Sequence, residues 1–193
     1  MIYELYLGLL SSDFNRYNEA HMIKKILLIL FLPSLVFAQN SPVAKSFNRS
    51  VSPTVDTAIY ASGELLGGKL TISNAAKSGV HSGVIGTVII SDLDSDSADI
   101  DVVYFKSNPT GTTFTDQAAF DVADADLTKI ICVVPVTDYF VFNDNSIGIA
   151  QNANCPFDLG DETTMYAALV SRGTPDYAAA TDLTLTTSIY PDY

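Results

Sequence analysis

From Thr54 to its end the chain never sustains a helical repeat of apolar residues over ten positions. It offers short runs rich in β-branched and aromatic residues, separated by clusters of Gly, Pro, Asn, Asp and Ser, which is the punctuation of strands and turns. The runs are Thr54 to Tyr60, Lys69 to Ser73 after Gly67-Gly68, Val84 to Ile90, Asp99 to Lys106, Lys129 to Val136, Phe140 to Phe142, Ile147 to Ala150, Met165 to Arg172 and Asp182 to Tyr190. The last alternates most cleanly, with Leu183, Leu185 and Ile189 on one face and Asp182, Thr184, Thr186 and Ser188 on the other. Asp99 to Lys106 alternates at first and then turns apolar on both faces at Val103, Tyr104 and Phe105, as a strand does on entering a covered interior. Pro135 places the end of its strand at an edge or a bulge. About eight short strands without a fixed repeat predict an all-β fold, an antiparallel β-sandwich of the jelly-roll type. One or two helical turns fit between Asp116 and Asp126, with Thr115 or Asp116 as N-cap.

The part before Thr54 divides differently. Residues 1–21 form an upstream extension of doubtful relevance ahead of the better start, Met22. Residues 22–38, MIKKILLILFLPSLVFA, carry a Lys pair, a short apolar run, and small residues Val36 and Ala38 at the positions a secretory signal requires. The apolar run is too short for a stable membrane span. Residues 39–53 are polar and turn-rich and are expected as an arm or linker ahead of a sandwich domain at 54–193. Beyond Ala38 the chain holds seven basic residues (Lys45, Arg49, Lys69, Lys77, Lys106, Lys129, Arg172) against nineteen acidic ones, so the whole formal charge of −12 lies there. Such a surface repels nucleic acid and anionic lipid.

Chemistry-bearing constellations are sparse. Asp92, Asp94, Asp96, Asp99 and Asp101 alternate as cation ligands can, but an EF-hand loop needs Gly at its sixth position and Glu at its twelfth. Counted from Asp92 those places hold Ser97 and Val103; counted from Asp94, Asp99 and Phe105. A solvated acidic hairpin is the expectation, and Asp121, Asp124 and Asp126 read as helix-end and turn residues. His81, the one histidine beyond residue 38, sits in a Gly/Ser loop with no Gly-x-Ser-x-Gly elbow in the chain, and gives a hydrolase little footing. Gly63, Gly67 and Gly68 lack the Lys-Ser/Thr ending of a phosphate loop and read as turn glycines. Cys132 and Cys155 permit one disulfide, though Cys132 lies in an apolar strand and is expected as a buried free thiol. Aromatic side chains are numerous, with packing between sheets as their expected role and sugar stacking as the alternative. No catalytic, cofactor-binding or metal-ligating residue is assigned, and the chain is read as no enzyme.

Several segments carry a family likeness: Thr57-Ala58-Ile59-Tyr60-Ala61-Ser62-Gly63-Glu64-Leu65-Leu66-Gly67-Gly68, Val103-Tyr104-Phe105-Lys106-Ser107-Asn108-Pro109, Thr113-Phe114-Thr115-Asp116-Gln117-Ala118-Ala119, Ala123-Asp124-Ala125-Asp126-Leu127 and Ala168-Leu169-Val170-Ser171-Arg172-Gly173-Thr174-Pro175. In order and spacing they span most of residues 54–190, and the chain resembles small virion structural proteins of tailed bacteriophages from marine and environmental sources. The resemblance implies a β-sandwich subunit on the phage head surface, decorating or cementing the capsid through contacts with virion proteins, as a homo-oligomer with a trimer among the candidates. It implies no catalytic residues. Such proteins normally lack an export signal, so residues 22–38 support an alternative, an exported bacterial β-sandwich, periplasmic or secreted, that binds a glycan or a surface partner.

Overall fold

The structure, a computed structural model, describes residues 45–192; the extension at 1–21 and the signal-like segment at 22–38 lie outside them. Ten strands follow in order: β1 (Phe47–Val51), β2 (Leu70–Ile72), β3 (Ser82–Asp92), β4 (Ile100–Phe105), β5 (Ile130–Val136), β6 (Tyr139–Val141), β7 (Ser146–Ala150), β8 (Cys155–Asp158), β9 (Met165–Ser171) and β10 (Leu183–Pro191). One short helix, α1 (Asp124–Leu127), precedes β5. All pairings are antiparallel. One sheet has the order β1-β10-β3-β7-β6, with β8 also on β3, and the other β2-β9-β4-β5. The chain crosses between sheets after β1, β2, β3, β5, β8 and β9. With the β6–β7 hairpin set aside and β8 taken beside β3, the two four-strand orders are those of a jelly roll.

The expected sandwich is therefore present, with ten strands in place of about eight. β1 falls within the stretch expected as an arm, so the sheet begins at Phe47 and not after Pro53. Its polar residues suit an outward face, where Ser50 meets Thr186 at 2.8 Å, while Phe47 and Val51 pack on the core. β8 is a four-residue strand holding Pro156, tolerated because it pairs on one side only, with β3. Thr54 to Tyr60, expected as a strand, is a connection. Asp56 Oδ1 accepts the N–H of Ala58, a local turn that diverts the backbone from a ladder.

β3 is long because it serves two partners in succession. β10 pairs along its length, while β7 takes Val88–Asp92 and β8 takes Ser82–Ile85. Between them Asn152 and Asn154 adopt positive φ, which Asn tolerates better than most residues, and Ala153 N–H reaches Gly86 O. The main core lies between the sheets around Ile85, Ile90, Ile100, Tyr104, Met165, Leu169, Leu185 and Ile189. A second cluster covers the outer face of the four-stranded sheet. Leu65, Val103, Phe105, Ala168 and Val170 are buried there, with Phe114, Phe120 and Val122 of the β4–β5 connection packed over them. That covering explains why β4 turns apolar on both faces.

Cys132 and Cys155 form a disulfide, with Cα atoms 6.3 Å apart, correcting the expected free thiol. Cys132 lies opposite Tyr104 on β4 and so faces the other sheet, and the unforeseen strand β8 carries Cys155 to meet it. The bond thus ties one sheet to the other. A smaller correction concerns Asp182, which is buried just before β10 and accepts the N–H of Ala179 instead of facing solvent.

Candidate functional site

The acidic run after β3 does not converge. Asp92, at the end of that strand, is buried, and its carboxylate accepts the N–H groups of Asp94 and Ser97 and the hydroxyl of Ser146. Asp94 accepts the N–H of Ala178, which docks this loop on the 176–182 loop. Asp101 turns away to Arg172, at 2.7 Å. Asp96 Oδ2 is enclosed without a hydrogen-bond partner. Burial, with the nearby carboxylates of Asp92, Asp94 and Asp176, raises the Asp96 pKa, against the opposing N–H of Asp176. Among the described residues no group of three or more His, Cys, Asp or Glu side chains is placed to hold a metal ion. The expected solvated acidic hairpin is thus corrected: β3 and β4 lie in different sheets, Asp92 is buried, and the Asp92 and Asp94 carboxylates hold the connection between them.

Two further acidic residues, Asp126 and Asp116, brace loops. Asp126 in α1 accepts the N–H groups of Gly111 and Thr112 and the Thr112 hydroxyl on Oδ2, while Lys129 Nζ stands 2.7 Å from Oδ1. The lysine, the hydroxyl and the two N–H groups together hold its pKa down to about 2, against the effect of burial. Asp116, expected as an N-cap, instead receives the Tyr60 hydroxyl and the N–H of Gly67, pinning the 52–69 connection to the β4–β5 connection. Gly67 has φ +72°, and a Cβ there would stand 2.7 Å from Pro53 Cβ, so its role is a tight turn.

His81 has its ring Nδ1 2.7 Å from the main-chain carbonyl of Glu162. Its own carbonyl accepts the N–H of Leu159. These bonds fasten the loop before β3 and aim the ring at backbone, not at a carboxylate.

The feature that stands apart is an apolar margin. β6 is the last strand of its sheet, and Phe140, Val141 and Phe142 are 62, 60 and 61 % exposed. On the same side of the sandwich β5 ends the other sheet, with Val133 and Pro135 exposed. Tyr139 anchors the margin: its ring lies over Gly148, where a Cβ would meet it at 2.6 Å, and its hydroxyl donates to Ala98 O. The sequence placed a short strand at 140–142 but missed its exposure. The legible signal was three consecutive apolar residues beside the turn Asn143-Asp144-Asn145, where a two-sided strand would alternate.

No protein-family model and no curated protein matches the chain. No helix among the described residues is long and apolar enough to cross a membrane.

Proposed function

We propose that this chain is a non-enzymatic virion structural protein, a capsid-decorating or head-associated subunit that acts through protein–protein contacts. The observation that carries the reading is the apolar margin at Phe140, Val141 and Phe142 on an otherwise acidic domain, since exposed contiguous apolar residues mark interaction sites. The jelly-roll order supports it by analogy, because viral capsid domains are frequent users of that fold, and so does the family likeness of residues 54–190. Incubation of the full chain with purified tailed-phage heads that lack it tests the reading. Stoichiometric recovery on purified heads, lost on Phe142→Lys, is the expected result. Heads that take up none of the chain at saturating concentration would reject it.

One observation favours a second reading, an exported β-sandwich binding a glycan or a surface partner. The Cys132–Cys155 disulfide joins the two sheets, and disulfides persist in oxidising compartments. Recovery of an N-terminus at Gln39 from a periplasmic or culture fraction, with no free thiol, would favour it over the virion role.

A further inference from the structure

Five strands among the described residues have an open side, and they are unequally protected; one of them, β8, holds Pro156. β1 carries Arg49, whose guanidinium lies over the Phe47 ring, and β2, as short as β6, buries both of its apolar side chains, Leu70 and Ile72. β5 contains Pro135, which lacks the N–H that a new strand would need. β6 is short too, but it holds no charged residue and no proline. Its residues Tyr139, Phe140 and Val141, and Phe142 beyond it, are uncharged, and the last three are exposed.

The backbone of β6 is also set for pairing. Asp138 O accepts the N–H of Ile149, and Phe142 N–H donates to Asn145 O. Between them Phe140 stands opposite Ile147. In an antiparallel ladder the hydrogen-bonding sites alternate, so Asp138, Phe140 and Phe142 aim their polar groups at β7. Tyr139 and Val141 therefore direct N–H and C=O to the open side.

We infer that the occupant of this edge is a second copy of the chain, its β6 running antiparallel about a two-fold axis at Phe140. In that register Tyr139 of one copy lies opposite Val141 of the other, and all four outward-facing residues exchange hydrogen bonds. The two Phe140 residues meet at the closely spaced, non-bonded site of the ladder, where side chains approach most nearly. Charge selects the register. Here each Asp138 faces Phe142 of the other copy. A two-fold axis at Val141 would instead set Asp138 against Asp144. For so acidic a chain the uncharged β6 edge is where two copies meet with least repulsion. The two six-stranded sheets then become one continuous sheet with a matched patch on each copy, an isologous interface. The paired strands are short, so association is concentration-dependent in solution. This goes beyond the proposed function and does not depend on it: both draw on the Phe140–Phe142 margin, but the dimer takes the backbone edge of β6, so head binding can fail while the dimer holds.

The test uses the full chain carrying Phe140→Cys, with Ile59→Cys, another exposed apolar position, as the control. Under mild oxidation Phe140→Cys should give a disulfide-linked dimer at least about tenfold faster than Ile59→Cys, because the pairing raises the effective thiol concentration. Sedimentation of the wild type should show a monomer–dimer equilibrium that Phe140→Lys abolishes, while the thermal unfolding midpoint, compared at a dilution where the wild type is monomeric, stays unchanged. Equal cross-linking rates, a wild type monomeric throughout, a trimer, or a dimer that survives Phe140→Lys would each overturn the inference.

Discussion

The hydroxyl of Tyr104 on β4 stands 2.8 Å from the hydroxyl of Thr187 on β10, in the interior and between the two sheets. Both side chains are fully buried. A polar pair in that position satisfies itself while fixing how one sheet sits over the other. Tyr104→Phe leaves the Thr187 hydroxyl buried without its partner and should cost about 1–3 kcal/mol in urea unfolding. Combining it with Thr187→Val should cost less than the sum of the two single changes. Strict additivity would show that the hydrogen bond contributes nothing.

The Cys132–Cys155 bond closes a loop that includes the β6–β7 hairpin. On loop-closure grounds its removal should lower stability by about 3 kcal/mol. Urea unfolding of the doubly substituted chain, Cys132→Ser with Cys155→Ser, measures this. A reductant should destabilise the wild type by a similar amount and leave that variant unaffected. If it shifts both equally, the bond is not the cause.

Asp126 has a pKa held below its unfolded value, so its contribution to stability is present above the ordinary carboxylate range. That contribution is lost as pH falls from about 4 toward about 2. Asp126→Asn should flatten the acid limb of the stability–pH curve and speed amide exchange at Gly111 and Thr112, which donate to this carboxylate. An unchanged acid limb would remove Asp126 from the account.

Asp96 has the opposite sign. Its pKa is raised in the fold, so the native state holds its proton more tightly than the unfolded chain does. The resulting stabilisation is present at low pH and disappears as pH rises through the folded value. Asp96→Asn, which keeps the shape and removes the charge, should raise the thermal midpoint at neutral pH and leave it little changed in acid. A lower midpoint at pH 7 would refute this.

The residues that made the fold legible were those whose neighbours in sequence already determine their surroundings. Leu183, Leu185 and Ile189 declare a half-buried strand by spacing alone, and β10 lies where they put it. Val103, Tyr104 and Phe105 signal a strand covered on both faces, and the second apolar cluster supplies that cover. Gly67 reads as a turn and is one. β1 and β8 were hidden because polar or proline-bearing strands become strands only when a neighbour offers a matching edge. Thr54 to Tyr60 has strand composition, yet the Asp56 carboxylate accepts the N–H of Ala58 and captures its backbone. For the candidate site, the burial of Asp92 was not legible, since the carboxylate is drawn inward by N–H and hydroxyl donors that the fold brings to it. The exposure of Phe140, Val141 and Phe142 left one trace, the unbroken apolar run beside the Asn143-Asp144-Asn145 turn, but which side of the strand stayed open depended on the sheet order.

Local pattern by itself determined that this chain is built of short strands in two layers, because side-chain alternation and turn chemistry act over a few residues. Tertiary structure alone decided which strands neighbour which, that Cys132 meets Cys155, and that β6 is left at an open edge. Those outcomes depend on contacts between distant segments, such as the 83 residues separating Tyr104 from Thr187, and their cost and gain appear only once both sheets are in place.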